Sequence, residues 1–175
     1  MPNLIHLPTF DRDGALRVVI ETPAGSRIKF KYDPGEEVFL FGRPLVLGVS
    51  YPFDWGFIPS TRAEDGDPLD AMVYHDGAAY PGVVIACQPI GVVRVSQKRK
   101  GGGRERNDRV IAVPAKDDRC NDARDLNERT RIELEQFFLA AVFLEGKGVQ
   151  IKGWSGPSAA KSLISAAQAT YNKGN

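Results

Sequence analysis

Short β-branched and aromatic runs punctuated by turn residues fill the first part of the chain, and one of them alternates apolar and polar positions with a period of two. Leu16–Glu21 (LRVVIE), Arg27–Tyr32 (RIKFKY) and Glu37–Phe41 (EVFLF) are rich in β-branched and aromatic residues and predict short strands. Pro23-Ala-Gly and Asp33-Pro-Gly separate them as turns. In RIKFKY the alternation puts Ile28, Phe30 and Tyr32 on one face and Arg27, Lys29 and Lys31 on the other. Pro81–Ser96 reads as two strand runs broken at Gln88-Pro89, and Asp108–Val113 as a further strand. The period then changes. Leu134, Phe137, Phe138, Ala141 and Val142 recur at helical spacing and predict a helix within Asn127–Leu144, capped by Asn127 and followed by Gly146. A short strand, Val149–Ile151, leads to a second helix with Pro157 in its first turn. Ala160, Leu163, Ile164, Ala167 and Tyr171 form its apolar stripe. Many strands followed by two helices predict an α+β domain, a small barrel or curled sheet with helices packed outside.

The length of 175 residues fits one domain spanning 1–175. A chain of this size can bury a core without disulfides or zinc. Lys and Arg number 23 against 22 Asp and Glu, so a charged function must come from local clustering. No run approaches the roughly 18 apolar residues of a membrane span. The start, MPNLIHLPTFDRDG, lacks the basic and apolar regions of a secretory signal. Cys87 and Cys120 form no metal pair or disulfide framework, so a reduced cytoplasmic setting is expected. His6 and His75 each lack a metal-spaced partner, and Cys87 sits in an apolar run that reads as core. Gln97–Arg109 (QKRKGGGRERNDR) predicts a long, flexible, basic loop. It has no interleaved aromatics for base stacking, which argues against nucleic-acid binding.

The most specific chemical feature is Asp65-Gly-Asp-Pro-Leu-Asp70, three carboxylates within six residues. Such a cluster repels itself unless protons or cations neutralise it. Its oxygen-only donors suit hard cations such as Mg²⁺, Mn²⁺ or Ca²⁺ rather than zinc. It lacks the later Gly and bidentate Glu of an EF-hand. Taken alone, it is also what a solvated Asp-Gly turn looks like. Tyr51–Pro59 (YPFDWGFIP) reads as a structured loop at a core edge, and Lys29, Lys31 and Arg43 as cations near strand ends. Acids that hold metals beside cations that hold an anion fit phosphoryl transfer to water.

With these residues in view, DGDPLDAMV resembles the signature of the soluble family I inorganic pyrophosphatases. VVIETPAGSRIKF, the GRP at Gly42–Pro44, YPFDWGFIP, PGVVIACQPIGVV, VIAVP, Phe137-Phe138 and the late IKGW resemble family segments in the same order, across about residues 16–165. The resemblance implies an OB-like five-stranded β-barrel with helices outside. It implies Mg²⁺-dependent hydrolysis of pyrophosphate to two phosphates in a cytoplasmic homo-oligomer, commonly a hexamer in bacterial relatives. It makes Asp65 and Asp70 metal ligands, Asp67 the acid that activates the attacking water, and Glu21 an acid at the edge of the metal site. Lys29 and Arg43 become phosphate-binding residues and Tyr51 a site tyrosine. Arg109 stands where the family has a phosphate-binding lysine, and Trp55 where it has a tyrosine.

The departures from the family pattern gather in the site. Lys31 stands where an acid is expected, and Gln97 and Asn107 replace two more. Asp108 is the candidate to substitute for Asn107 as a metal ligand. The Tyr-Lys pair expected on the first helix reads Ala141-Val142. These changes shift the formal charge of the site by about +3. Lys31, Arg104, Arg106 and Arg109 are therefore expected to replace some metals with fixed cations. Such cations hold an anion without lowering the pKa of water as a two-metal bridge does, so anion binding should survive better than fast hydrolysis. The competing expectations are a non-catalytic relative that binds an anion or partner, and a hydrolase of another phosphoanhydride reached by the basic loop.

Overall fold

Five strands hydrogen-bond in a closed circuit in the computed structural model, which describes residues 3–174. In chain order the strands are β1 (Leu16–Thr22), β2 (Ile28–Asp33), β3 (Val38–Pro44), β4 (Asp54–Ile58), β5 (Leu69–Val73), β6 (Val84–Lys98), β7 (Arg104–Arg106), β8 (Arg109–Pro114) and β9 (Gln150–Ser155). The helices are α1 (Glu128–Ala141) and α2 (Pro157–Lys173). β1 pairs with β4, β4 with β5, β5 with β8, β8 with β6, and β6 returns to β1. Only the β5–β8 pair in this ring is parallel. β7 and β9 attach to β6, and β2 and β3 form a separate hairpin. The mixed ring with two helices is the expected OB-like α+β arrangement.

Strand pleating sends successive residues to opposite faces, and both faces are covered. Met72, Ile111 and Val113 join a cluster with Leu134, Phe137 and Phe138 of α1. Ala71, Val73, Val110 and Ala112 join a second cluster with Ile164 and Ala167 of α2. Two-sided burial explains why these strands read as nearly continuous apolar runs. Asn127 caps α1 by accepting from the Thr130 amide at 2.8 Å, and Pro157 opens α2 after Gly156.

Three expectations change. Tyr51–Pro59 is not mainly loop, because Asp54–Ile58 within it is a wholly buried strand. Asp54 tolerates that burial because its carboxylate accepts from the Ala24 amide at 2.8 Å, the Ala79 amide at 2.9 Å and His75 Nε2 at 2.9 Å. Gly56 lets β4 press on β1, since a Cβ there would lie 1.9 Å from the Val19 carbonyl oxygen. Second, Gln88-Pro89 does not break the chain into two strands. β6 runs for 15 residues, with its register shift against β8 between Pro89 and Gly91. A bulge accommodates a residue that has no amide to donate. Third, the basic 97–109 segment is largely ordered. Lys98 pairs with Arg104 in a β6–β7 hairpin whose turn is carried by Gly101, Gly102 and Gly103, all at positive φ.

Candidate active site

The β2–β3 hairpin, the start of β5, the start of β8 and the end of α1 enclose a cleft with about 200 Å³ of space. Glu21, Lys29, Lys31, Arg43, Tyr51, Trp55, Asp65, Asp67, Asp70 and Arg109 all line it. Lys29 and Arg43 face each other as register partners across β2 and β3. The three aspartates arrive on the β4–β5 connection. Gly66 turns this connection at φ 89°, and the Asp67 amide donates to Asp65 Oδ1 at 3.2 Å. The Ala63 amide closes the loop by donating to the Asp67 carbonyl at 2.7 Å.

The carboxylates differ in environment. Glu21 accepts from the Tyr32 amide at 2.7 Å and so ties β1 to β2. Burial pushes its pKa up to about 7 against that hydrogen bond, and Asp70 adds to the rise. Burial also raises Asp65, with Asp70 and Asp67 contributing repulsion. Asp67 is paired with Lys31 Nζ at 3.3 Å, in a contact whose side chains are 59% and 65% exposed. Asp70 is paired with Arg109, whose Nη1 donates both to Asp70 and to Asn107 Oδ1. The same guanidinium lies over the Trp55 ring. Trp55 meets Phe138 edge-on, so α1 steadies this arrangement from behind.

Among the cations, burial lowers the Lys29 pKa, as expected for an ammonium withdrawn from water. Burial acts the same way on Lys31, but Asp67, Glu21 and Asp70 outweigh it and raise its pKa. Arg43 donates to the Ala141 carbonyl and is ion-paired with Glu145. Tyr51 is buried, which raises its phenol pKa and keeps it neutral at ordinary pH.

Three expected residues lie elsewhere. Asp108 does not join the cleft as a substitute metal ligand. Its carboxylate accepts from Arg94 at 3.0 Å, from Arg106 at 2.7 Å and from the Val95 amide at 2.9 Å, and it borders a different depression beside α2. Asn107, one residue earlier in the short β7–β8 connection, lines the cleft instead. Arg104 and Arg106 are not fixed cations of the site either. Arg104 donates to Ser96 and to the Gly148 carbonyl, while Arg106 is committed to Asp108. Sequence reasoning missed Lys147, which also lines the cleft. Its signal is the Gly146-Lys147-Gly148 triplet just beyond the first helix, a lysine presented between two turn residues.

The donors fit a hard divalent cation. Glu21, Asp65, Asp67 and Asp70 offer only carboxylate oxygens, and a nearby cation would favour the ionised form of the buried Glu21, whose pKa burial raises. Lys31 already serves Asp67 and Arg109 serves Asp70, and among the described residues no three acid, His or Cys groups are drawn together as a preformed metal cage.

The family model for inorganic pyrophosphatase matches residues 18–172. The chain belongs to the inorganic pyrophosphatase family. An inorganic pyrophosphatase of Synechocystis is 38% identical over 165 residues, covering 93% of this chain and 95% of that one. One from Saccharolobus solfataricus is 39% identical over 155 residues, covering 85% and 87%. The crystal structure of the Thermus thermophilus inorganic pyrophosphatase superposes with a TM-score of 0.88 at 36% identity, covering 97% of this chain and 99% of that one. The family implies a divalent metal cofactor. Among the described residues no helix is long and apolar enough to cross a membrane.

Proposed function

We propose that this chain hydrolyses inorganic pyrophosphate to two phosphates with Mg²⁺, more slowly than a family member carrying the full acid set. The observation that carries this reading is the convergence of Asp65, Asp67, Asp70, Lys29 and Arg43 on one cleft. Lys29 and Arg43, paired across β2 and β3, bind and orient the phosphates. Arg109 is pre-oriented by Asp70 and Asn107 and presents its remaining donors to the anion. Tyr51 contributes a neutral hydroxyl, and the Trp55 indole excludes water on one side. Asp65 and Asp70 would hold the metal, with Glu21 at its edge. Bound there, a divalent ion neutralises phosphate oxygens and lowers the pKa of water. Asp67 accepts the proton of the attacking water at its exposed carboxylate. The new P–O bond forms as the bridging P–O bond breaks, and the second phosphate leaves.

The cleft lies below the roughly 300–1,000 Å³ of drug-sized pockets, which favours a diphosphate over a nucleotide. We take the protein to act as one cytoplasmic domain within a homo-oligomer, as a hexamer if it follows the bacterial pattern. The Lys31–Asp67 and Arg109–Asp70 pairs favour a second reading, an anion-binding relative without turnover. Phosphate release from pyrophosphate with Mg²⁺ separates the two. Release that Asp67→Asn abolishes and EDTA stops supports hydrolysis. A folded chain that binds a diphosphonate and releases no phosphate supports the second reading.

A further inference from the structure

The end of α1 gives the cleft only Ala141 and Val142, neither of which can donate to an anion. A cation reaches the same cleft from five residues further along. Lys147 lies between Gly146 and Gly148, which turn at φ 64° and 50°. Its Nζ is 3.0 Å from one oxygen of Glu145, and the other oxygen of that carboxylate holds Arg43. One carboxylate therefore carries two of the cleft's cations. Lys147, Arg43 and Lys29 together hold the Glu145 pKa below its ordinary value, against the effect of burial.

The backbone of this segment is fixed from outside. The Lys98 amide donates to the Lys147 carbonyl at 2.8 Å, and Arg104 donates to the Gly148 carbonyl at 2.8 Å. Gly148 also turns at a positive φ of 50°, a conformation that favours glycine. The β6–β7 hairpin, drawn from the basic segment, is thus the mount for Lys147. The Lys147 side chain remains 36% exposed, and its ammonium has three donors, so it can keep Glu145 while donating to a ligand.

We propose that Lys147 is a substrate-binding residue of this cleft, taking a phosphate group of a diphosphate together with Arg43, and that Glu145 is the positioning residue for both. The inference rests on the reading of the cleft as a diphosphate site. A cation lost from a helix end is here supplied from the following turn.

The test is calorimetric binding of methylenediphosphonate to the full chain with Mg²⁺, alongside the KM and kcat for pyrophosphate. Lys147→Ala should weaken binding by about tenfold or more, the scale of a lost hydrogen bond to a charged group. It should raise KM more than it lowers kcat and leave the melting transition in place. Lys147→Arg should keep most of the affinity. Val142→Lys in the Lys147→Ala background should restore binding, which a purely structural role for Lys147 would not allow. If Lys147→Ala binds the probe as tightly as the native chain, or if Val142→Lys restores nothing, the proposal is wrong. A native chain that does not bind the probe overturns the diphosphate reading instead, so the two failures are distinguishable.

Discussion

The guanidinium carbon of Arg109 lies 5.3 Å from the centre of the Trp55 ring, with Asp70 held at its edge. This contact couples a cleft carboxylate to the aromatic core behind it. The planar guanidinium can stack and pair at once, and an ammonium cannot. Arg109→Lys should therefore keep the Asp70 pair and lose about 1 kcal/mol of stacking. Arg109→Ala leaves Asp70 without its partner. Because Asp70 is 27% exposed, we expect a cost of about 2 kcal/mol, less than the 3–5 of a fully buried broken pair. Urea unfolding of the two variants checks the order.

Lys31 should act on metal rather than on stability. Its pair with Asp67 is exposed, so Lys31→Ala should change unfolding by less than about 1 kcal/mol. Lys31→Glu removes a cation and adds a carboxylate to the same cleft. Its affinity for Mn²⁺, read by electron paramagnetic resonance, should rise by about tenfold. An unchanged Mn²⁺ titration would remove Lys31 as the residue that limits metal binding.

Asp108 provides the contrasting case. With 4% of its side chain exposed and three donors on its carboxylate, it holds β6, β7 and β8 together. Asp108→Asn should destabilise the fold by about 2–4 kcal/mol. Diphosphonate and Mn²⁺ binding by the folded fraction should stay at the native level. Loss of Mn²⁺ binding with unchanged stability would return Asp108 to the metal site.

Glu21 predicts a pH dependence in metal-free buffer. Its folded pKa stands near 7 against an ordinary 4.5. Between those values the unfolded chain has lost this proton and the folded chain keeps it. The folded state binds more protons, so stability falls as pH rises through the window and levels off above it. Glu21→Gln should remove that slope, so the variant gains on the native chain from pH 4.5 to 7. Melting curves of both proteins across this range, with EDTA present, provide the comparison. Parallel curves would show that Glu21 does not titrate there.

How much of this was legible in the sequence depended on whether the signal was local. Leu16–Glu21, RIKFKY and the stripe Leu134, Phe137, Phe138 announced their elements because pleat and helix periods act over neighbouring residues. Asn127 and Pro157 marked helix starts for the same reason. The Asp65–Asp70 hexapeptide and the ordered family segments were enough to expect the ring and the cleft. β4 was not legible, since its polar Asp54 is satisfied only by Ala24, His75 and Ala79 from other parts of the chain.

The sequence by itself determined the α+β class, the strand and helix carriers, and the identity of the acids and cations at Glu21, Lys29, Arg43, Asp65, Asp67 and Asp70. Only the tertiary structure decided which charges meet. It turned Asn107 toward the cleft and Asp108 away, withdrew Arg104 and Arg106, and brought Lys147 to Glu145 beside Arg43. The physical reason is that electrostatic partners are set by distance in space. Neighbouring residues of one connection can face opposite ways, and a hairpin can carry a turn to a site that no sequence spacing records.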